Sequence, residues 1–151
     1  MRKKKKLSTT LLAGIISIAL LSGSQNALAE EASFMVTIRI TGNDGSAQII
    51  LNDSQPAKEL AAMLPLSLTF RDYAGEEKIA DLPQKLSTMN GFAADEVEGD
   101  FAYYAPWGNL AVFYRDFGKG RSLYTLGKIE SGKAWLAGQR KDFSARLEIV
   151  E

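Results

Sequence analysis

Three stretches of the chain alternate apolar and polar side chains with a period of two. They are Phe34-Met35-Val36-Thr37-Ile38-Arg39-Ile40, Leu66-Ser67-Leu68-Thr69-Phe70-Arg71-Asp72 and Phe143-Ser144-Ala145-Arg146-Leu147-Glu148-Ile149-Val150. Successive side chains of an extended strand point to opposite faces, so each stretch reads as a strand with one buried face. One lies at each end of the region that follows the leader described below. Paired with each other, the two terminal strands remove an exposed sheet edge, which favours a closed barrel.

The intervening sequence supplies more strands. Gly42-Asn43-Asp44-Gly45 has turn chemistry and Ala47 to Leu51 returns from it as a hairpin partner. Glu77 to Leu82 reads as a short polar strand. Phe101 to Ala105 and Leu110 to Tyr114 flank Pro106-Trp107-Gly108-Asn109 as a second hairpin, and Ser122 to Ile129 is another strand. Within the first strand of that hairpin, Phe101 and Tyr103 share one face, while Ala102 and Tyr104 share the other. One helix is predicted over Ala57 to Leu64: Asn52, Asp53 and Ser54 offer caps, Pro56 falls in the first turn and Pro65 stops it. Ser131 to Gly138 reads as a short helix or turn. Ser87 to Glu98, with Asn90-Gly91 and several acidic residues, reads as a long loop. The sum is a mainly β chain of about eight strands and one or two short helices, without a strand-helix-strand rhythm, as in a sandwich or barrel.

The first 29 residues follow a different logic. Arg2 and Lys3 to Lys6 form a basic start, Leu11 to Leu21 an apolar stretch, and Ala27-Leu28-Ala29 a cleavage site, as in a secretory signal peptide. Cleavage after Ala29 leaves residues 30–151 as a single domain that is secreted or periplasmic. An uncleaved leader would instead be a membrane anchor, and the membrane is a partner only through this segment. Removing it takes away five of the 18 basic residues and none of the 18 acidic ones, leaving a net charge of −5. That balance argues against nucleic acid as a partner.

The chain has no histidine and no cysteine. A Ser-His-Asp triad, a Cys nucleophile, a zinc-thiolate site and an imidazole base are therefore excluded. No cofactor motif is present. Gly118-Lys119-Gly120-Arg121 lacks the spacing and the following helix of a phosphate loop and reads as a hairpin connection with two exposed cations. Carboxylates are numerous (Asp72, Glu76, Glu77, Asp81, Asp95, Glu96, Glu98, Asp100), but Asp95, Glu96 and Glu98 match no catalytic motif and no EF-hand spacing, and read as a solvated loop.

Leu123-Tyr124-Thr125-Leu126-Gly127-Lys128-Ile129-Glu130-Ser131-Gly132 resembles the cyclophilin pattern of apolar residues, Phe-Gly-Lys-Val, a polar pair and a Gly leading into a helix. More closely, the chain resembles the bacterial cyclophilin-like family of minimal domains. The matching segments are Ala57 to Pro65, Glu77 to Leu86 with Leu82-Pro83, Gly99 to Pro106, and Asn109 to Tyr114, and the likeness covers roughly residues 34–150. The resemblance implies an eight-stranded barrel capped by helices and carries no established reaction. Cyclophilins proper isomerise X-Pro bonds with an Arg, a Gln, a Phe-containing proline pocket, a Trp and a His. The resemblance puts Leu123 at the His, the neighbourhood of Phe117 and Gly118 at the Trp and Ala111 at the Gln. Only Phe113 of the pocket is retained.

Three functions are open: a non-catalytic module for a peptide or small ligand, a prolyl isomerase with a degenerate site, and acid-base chemistry by a pair of the carboxylates, which must face each other across a cleft. Aromatic grooves suit extended peptides, and Tyr104 and Trp107 are the ligand-facing candidates among aromatics that are otherwise packing. Phe113 is the candidate pocket floor. Arg71 and Arg115 are the strand-borne cations available to a substrate carbonyl. The oligomeric state is not readable.

Overall fold

The computed structural model describes residues 33–118 and 122–151. The chain divides into two units, Met1–Glu31 and Ala32–Glu151, and every described residue belongs to the second. The signal-peptide assignment, and the Lys119-Gly120-Arg121 part of the basic loop, lie outside the described residues.

In chain order the elements are β1 (Val36–Thr41), β2 (Ser46–Leu51), α1 (Gln55–Met63), β3 (Leu66–Tyr73), β4 (Glu77–Asp81), β5 (Phe92–Ala93), β6 (Asp100–Tyr104), β7 (Asn109–Phe113), β8 (Leu123–Ser131), α2 (Lys133–Gly138) and β9 (Phe143–Ile149). Eight of the nine strands form an antiparallel ring in the order β1, β9, β3, β4, β7, β6, β8, β2, closed by the pairing of β2 with β1. The two terminal strands do pair, with Ile40 opposite Leu147. The ninth strand, β5, adds to β8 through Phe92 opposite Thr125. The expected long loop is thus tied to the barrel wall by a two-residue strand.

The inward set follows the alternation. Ile38, Ile40, Ile49, Leu68, Phe70 and Leu147 are buried in one core, joined by Phe101 and Tyr103 from β6. Glu77 to Leu82 departs from expectation. Every residue of β4 except Asp81 is buried, because the strand is covered on both faces.

One close approach and two register shifts shape the wall. A Cβ on Gly127 would lie 2.1 Å from the Ile50 carbonyl oxygen, so only glycine lets β8 run this near β2. Register shifts on either side of β8, opposite Phe101/Ala102 and Gln48/Ile49, mark bulges that bend the strand where the ring closes.

The helices cover the barrel. α1 starts at Ser54, whose hydroxyl accepts from the Ala57 amide at 3.4 Å, and it buries Leu60 and Ala61 against the core. α2 touches both β2 and β4, which are not neighbours in the ring, so it lies across the interior and inserts Leu136. Near it the Lys78 side chain is buried. Its Nζ donates to Asp72 Oδ1 at 2.8 Å and to the Gln139 carbonyl, and it sits 5.2 Å from the Tyr114 ring centroid.

Candidate functional site

The inward parity of β4, β6 and β7 leaves a second set of side chains on the outer face. There Ile79 stands opposite Ala111, and Ala111 opposite Ala102. These three and Phe113 are as buried as the interior, with relative exposures of 0 to 3%. Ala94 and Leu123 pack over them. The cover is held by backbone bonds: the Ala94 amide donates to the Leu123 carbonyl at 3.0 Å and the Phe117 amide to the Glu96 carbonyl at 3.1 Å.

Beside this buried layer the outer face holds a concavity of about 240 Å³. Tyr73, Tyr104, Trp107 and Phe117 wall it, with Ile79 and Leu123 between. Trp107 stands edge-to-face between Tyr104, at 5.3 Å between centroids, and Tyr73, at 5.8 Å, so the three rings form one arch. Trp107 nevertheless remains 56% exposed. The volume is below the roughly 300–1,000 Å³ of sites for drug-sized ligands. It suits a side chain or a small aliphatic group.

Among the described residues, Glu77 and Asn109 are the lining side chains that carry polar groups besides the tyrosines and Trp107. Both are buried, and one oxygen of each, Glu77 Oε2 and Asn109 Oδ1, has no hydrogen-bond partner among the described residues. Asn109 donates one of its two side-chain amide hydrogens to the Leu110 carbonyl at 3.0 Å. Burial, followed by the nearby carboxylates of Glu96, Glu76 and Asp72, pushes the Glu77 carboxyl up to about 7. Desolvated acceptors of this kind are costly unless something donates to them.

Of the residues the sequence singled out, Tyr104 and Trp107 line the concavity, and Phe113 is wholly buried in its supporting layer, against the Phe117 ring at 6.0 Å. Arg71 is on the same face, opposite Ile79, but its guanidinium forms a two-point ion pair with Asp81, at 3.0 and 3.3 Å. Arg115 is exposed, with its guanidinium 5.9 Å from the Tyr114 ring centroid. Neither arginine lines the concavity. The positions onto which the resemblance carried the isomerase site do converge: Phe117 and Leu123 line the cavity, and Ala111 and Phe113 lie in its floor layer.

In the acidic loop Asp95 and Glu98 are exposed as expected, and Glu96 departs from the solvated reading. Glu96 is 3% exposed, and its amide donates to Asp100 Oδ2 at 3.2 Å. Asp100 is fully buried, with Thr125 Oγ1 at 3.0 Å and Lys128 Nζ at 3.2 Å from its Oδ1. Those contacts anchor the loop that carries Ala94 over the floor. Sequence reasoning missed Tyr73, Glu77, Ile79 and Asn109. Tyr73 was within reach, since the outward count Ser67, Thr69, Arg71 extends to it. Nothing local distinguished the other three.

The model of the cyclophilin-like family matches residues 40–148. The chain is also similar to the solution structure of a hypothetical protein from Archaeoglobus fulgidus. The TM-score is 0.55 and the identity 19%, over 79% of this chain and 98% of that one. At that identity the likeness speaks for the barrel. No curated protein matches.

Proposed function

Since the chain belongs to the cyclophilin-like family, we propose that it works as a binding module, taking a side chain of an extended peptide or a small ligand in the outer-face groove. One observation carries this reading: four aromatic side chains wall an apolar concavity whose buried acceptors lack donors. Buried acceptors are paired in the great majority of folded proteins, and a ligand's donors would pair these two. Export through the N-terminal leader belongs to the same proposal, and the mass of the secreted chain tests it.

The isomerase reading has less support. It needs a guanidinium beside the apolar pocket, and both candidate arginines are engaged elsewhere.

The experiment is a two-dimensional nitrogen-proton titration of the purified protein with capped single amino acids, the N-acetyl methylamides of Leu, Phe, Pro and Lys. Its two tryptophans, Trp107 and Trp135, give two indole signals. Binding in the groove shifts that of Trp107 and leaves that of Trp135, which is bonded to Asp44 at 2.9 Å. If all four probes at millimolar concentration leave Trp107 unmoved, the reading is wrong.

A further inference from the structure

We propose that the groove is a site for a linear aliphatic ammonium, whose –NH₃⁺ lies at Glu77 and whose far end donates a second hydrogen bond to Asn109. The inference rests on the groove being a binding site and names the chemistry it selects.

The polarity of the unpaired groups comes first. Glu77 Oε2 and Asn109 Oδ1 are both acceptors, and one of the two Asn109 side-chain amide hydrogens is already engaged. A ligand that satisfies them must bring donors at both places, and the acceptor at Glu77 turns away a carboxylate or phosphate at that end. Spacing comes second. Glu77 is opposite Phe113 and Asn109 opposite Asp81, four residues apart on the β4 and β7 pair, roughly 13 Å of strand. Ile79 and Ala111 lie between. The complementary molecule is therefore elongated, apolar in the middle and donating at its ends.

Charge selects the Glu77 end for the cation. Glu76 in the turn before β4, Asp72 on β3 and Glu96 from the loop before β6 all act on Glu77 with negative charge. Tyr73 and Phe117 add ring walls there, and aromatic faces attract desolvated cations. Of the nearby cations among the described residues, Lys78 is bound on the other side of the wall and Arg115 lies over Tyr114. An arriving ammonium holds the Glu77 carboxyl ionised and displaces its proton when the pH is below about 7.

Two sources share this chemistry. A free diamine supplies both donors itself, and a lysine residue supplies its ammonium and a backbone N–H. The test titrates the purified protein with cadaverine, N-acetyl-lysine methylamide, n-pentylamine and n-pentanol, reading the Trp107 indole signal from about pH 5.5 to 8.5, where the amines stay charged. Cadaverine or the lysine derivative should bind about tenfold or more tighter than pentanol at the upper pH, with pentylamine between. The stronger of the two identifies the source. Affinity should fall by up to about tenfold per pH unit below 7, and Glu77→Gln should abolish both the preference and the pH dependence. Should that variant not fold, the wild-type pH profile decides alone. Equal binding of pentanol and pentylamine, or a pH-independent preference, overturns the ammonium assignment while leaving the groove reading intact. Silence from every probe here, with shifts from capped Leu, Phe or Pro, does the same.

Discussion

Glu77 and Lys78 are adjacent on β4 and are buried on opposite faces of the barrel wall, one lining the outer groove and one bonded near α2. Lys78 has Asp72, the Gln139 carbonyl and the Tyr114 ring as partners, whereas Glu77 keeps an oxygen unpaired. A satisfied buried charge holds structure together, and an unsatisfied one awaits a donor.

The two residues therefore respond oppositely to removal of charge. Folding raises the Glu77 carboxyl from 4.5 to about 7. Between those values the folded chain holds a proton that the unfolded chain has lost, so this group lowers stability as pH rises, and its penalty is complete above 7. Glu77→Gln should gain about 2 kcal/mol at about pH 8, allowing for solvent at the groove mouth, and nothing at about pH 4. Urea unfolding at the two pH values checks this, and an equal effect at both contradicts it.

Lys78→Met should destabilise. It keeps the volume but deprives Asp72 and the Gln139 carbonyl of their donor, a loss of about 2 kcal/mol because Asp72 can rehydrate. Burial alone would raise the Asp72 carboxyl, but its bonds to Lys78 and Tyr114 overcome that and hold it below the usual 3.8. Asp72 therefore contributes stability that is present above 3.8 and is lost as pH falls through its lower folded value. The difference between wild type and Lys78→Met should accordingly shrink in acid, as measured by thermal melts across the acid range.

Gly127→Ala should strike barrel closure. The added Cβ meets the Ile50 carbonyl at 2.1 Å, a backbone atom that can retreat only by parting β2 from β8. A loss of about 3 kcal/mol or more is expected. Gly138→Ala meets nothing within 4 Å and should change stability by less than about 1 kcal/mol. Denaturation midpoints of the pair distinguish crowding from a general dislike of alanine.

Prolyl exchange in a short X-Pro peptide should proceed at its uncatalysed rate, tens to hundreds of seconds. The ion pair of Arg71 with Asp81 keeps that guanidinium out of the groove, and Arg115 points elsewhere. Exchange spectroscopy with and without the protein is decisive: acceleration that Phe113→Ala removes would revive the isomerase.

The sequence by itself determined eight of the nine strands, the cap that starts α1 and much of the inward set. Each is written in neighbouring residues: the alternation from Phe34 to Ile40, Ser54 three residues before Ala57, the shared parity of Phe101 with Tyr103. It also favoured a closed barrel, because a strand at each end invites the pairing that Ile40 and Leu147 make. The groove was decided by tertiary structure alone. Glu77, Ala102, Ala111 and Leu123 come from four strands, and outward positions on each look alike until long-range pairing sets them side by side and a loop anchored by Asp100 covers them. Burial on an outer face depends on what folds over it, which no local pattern records.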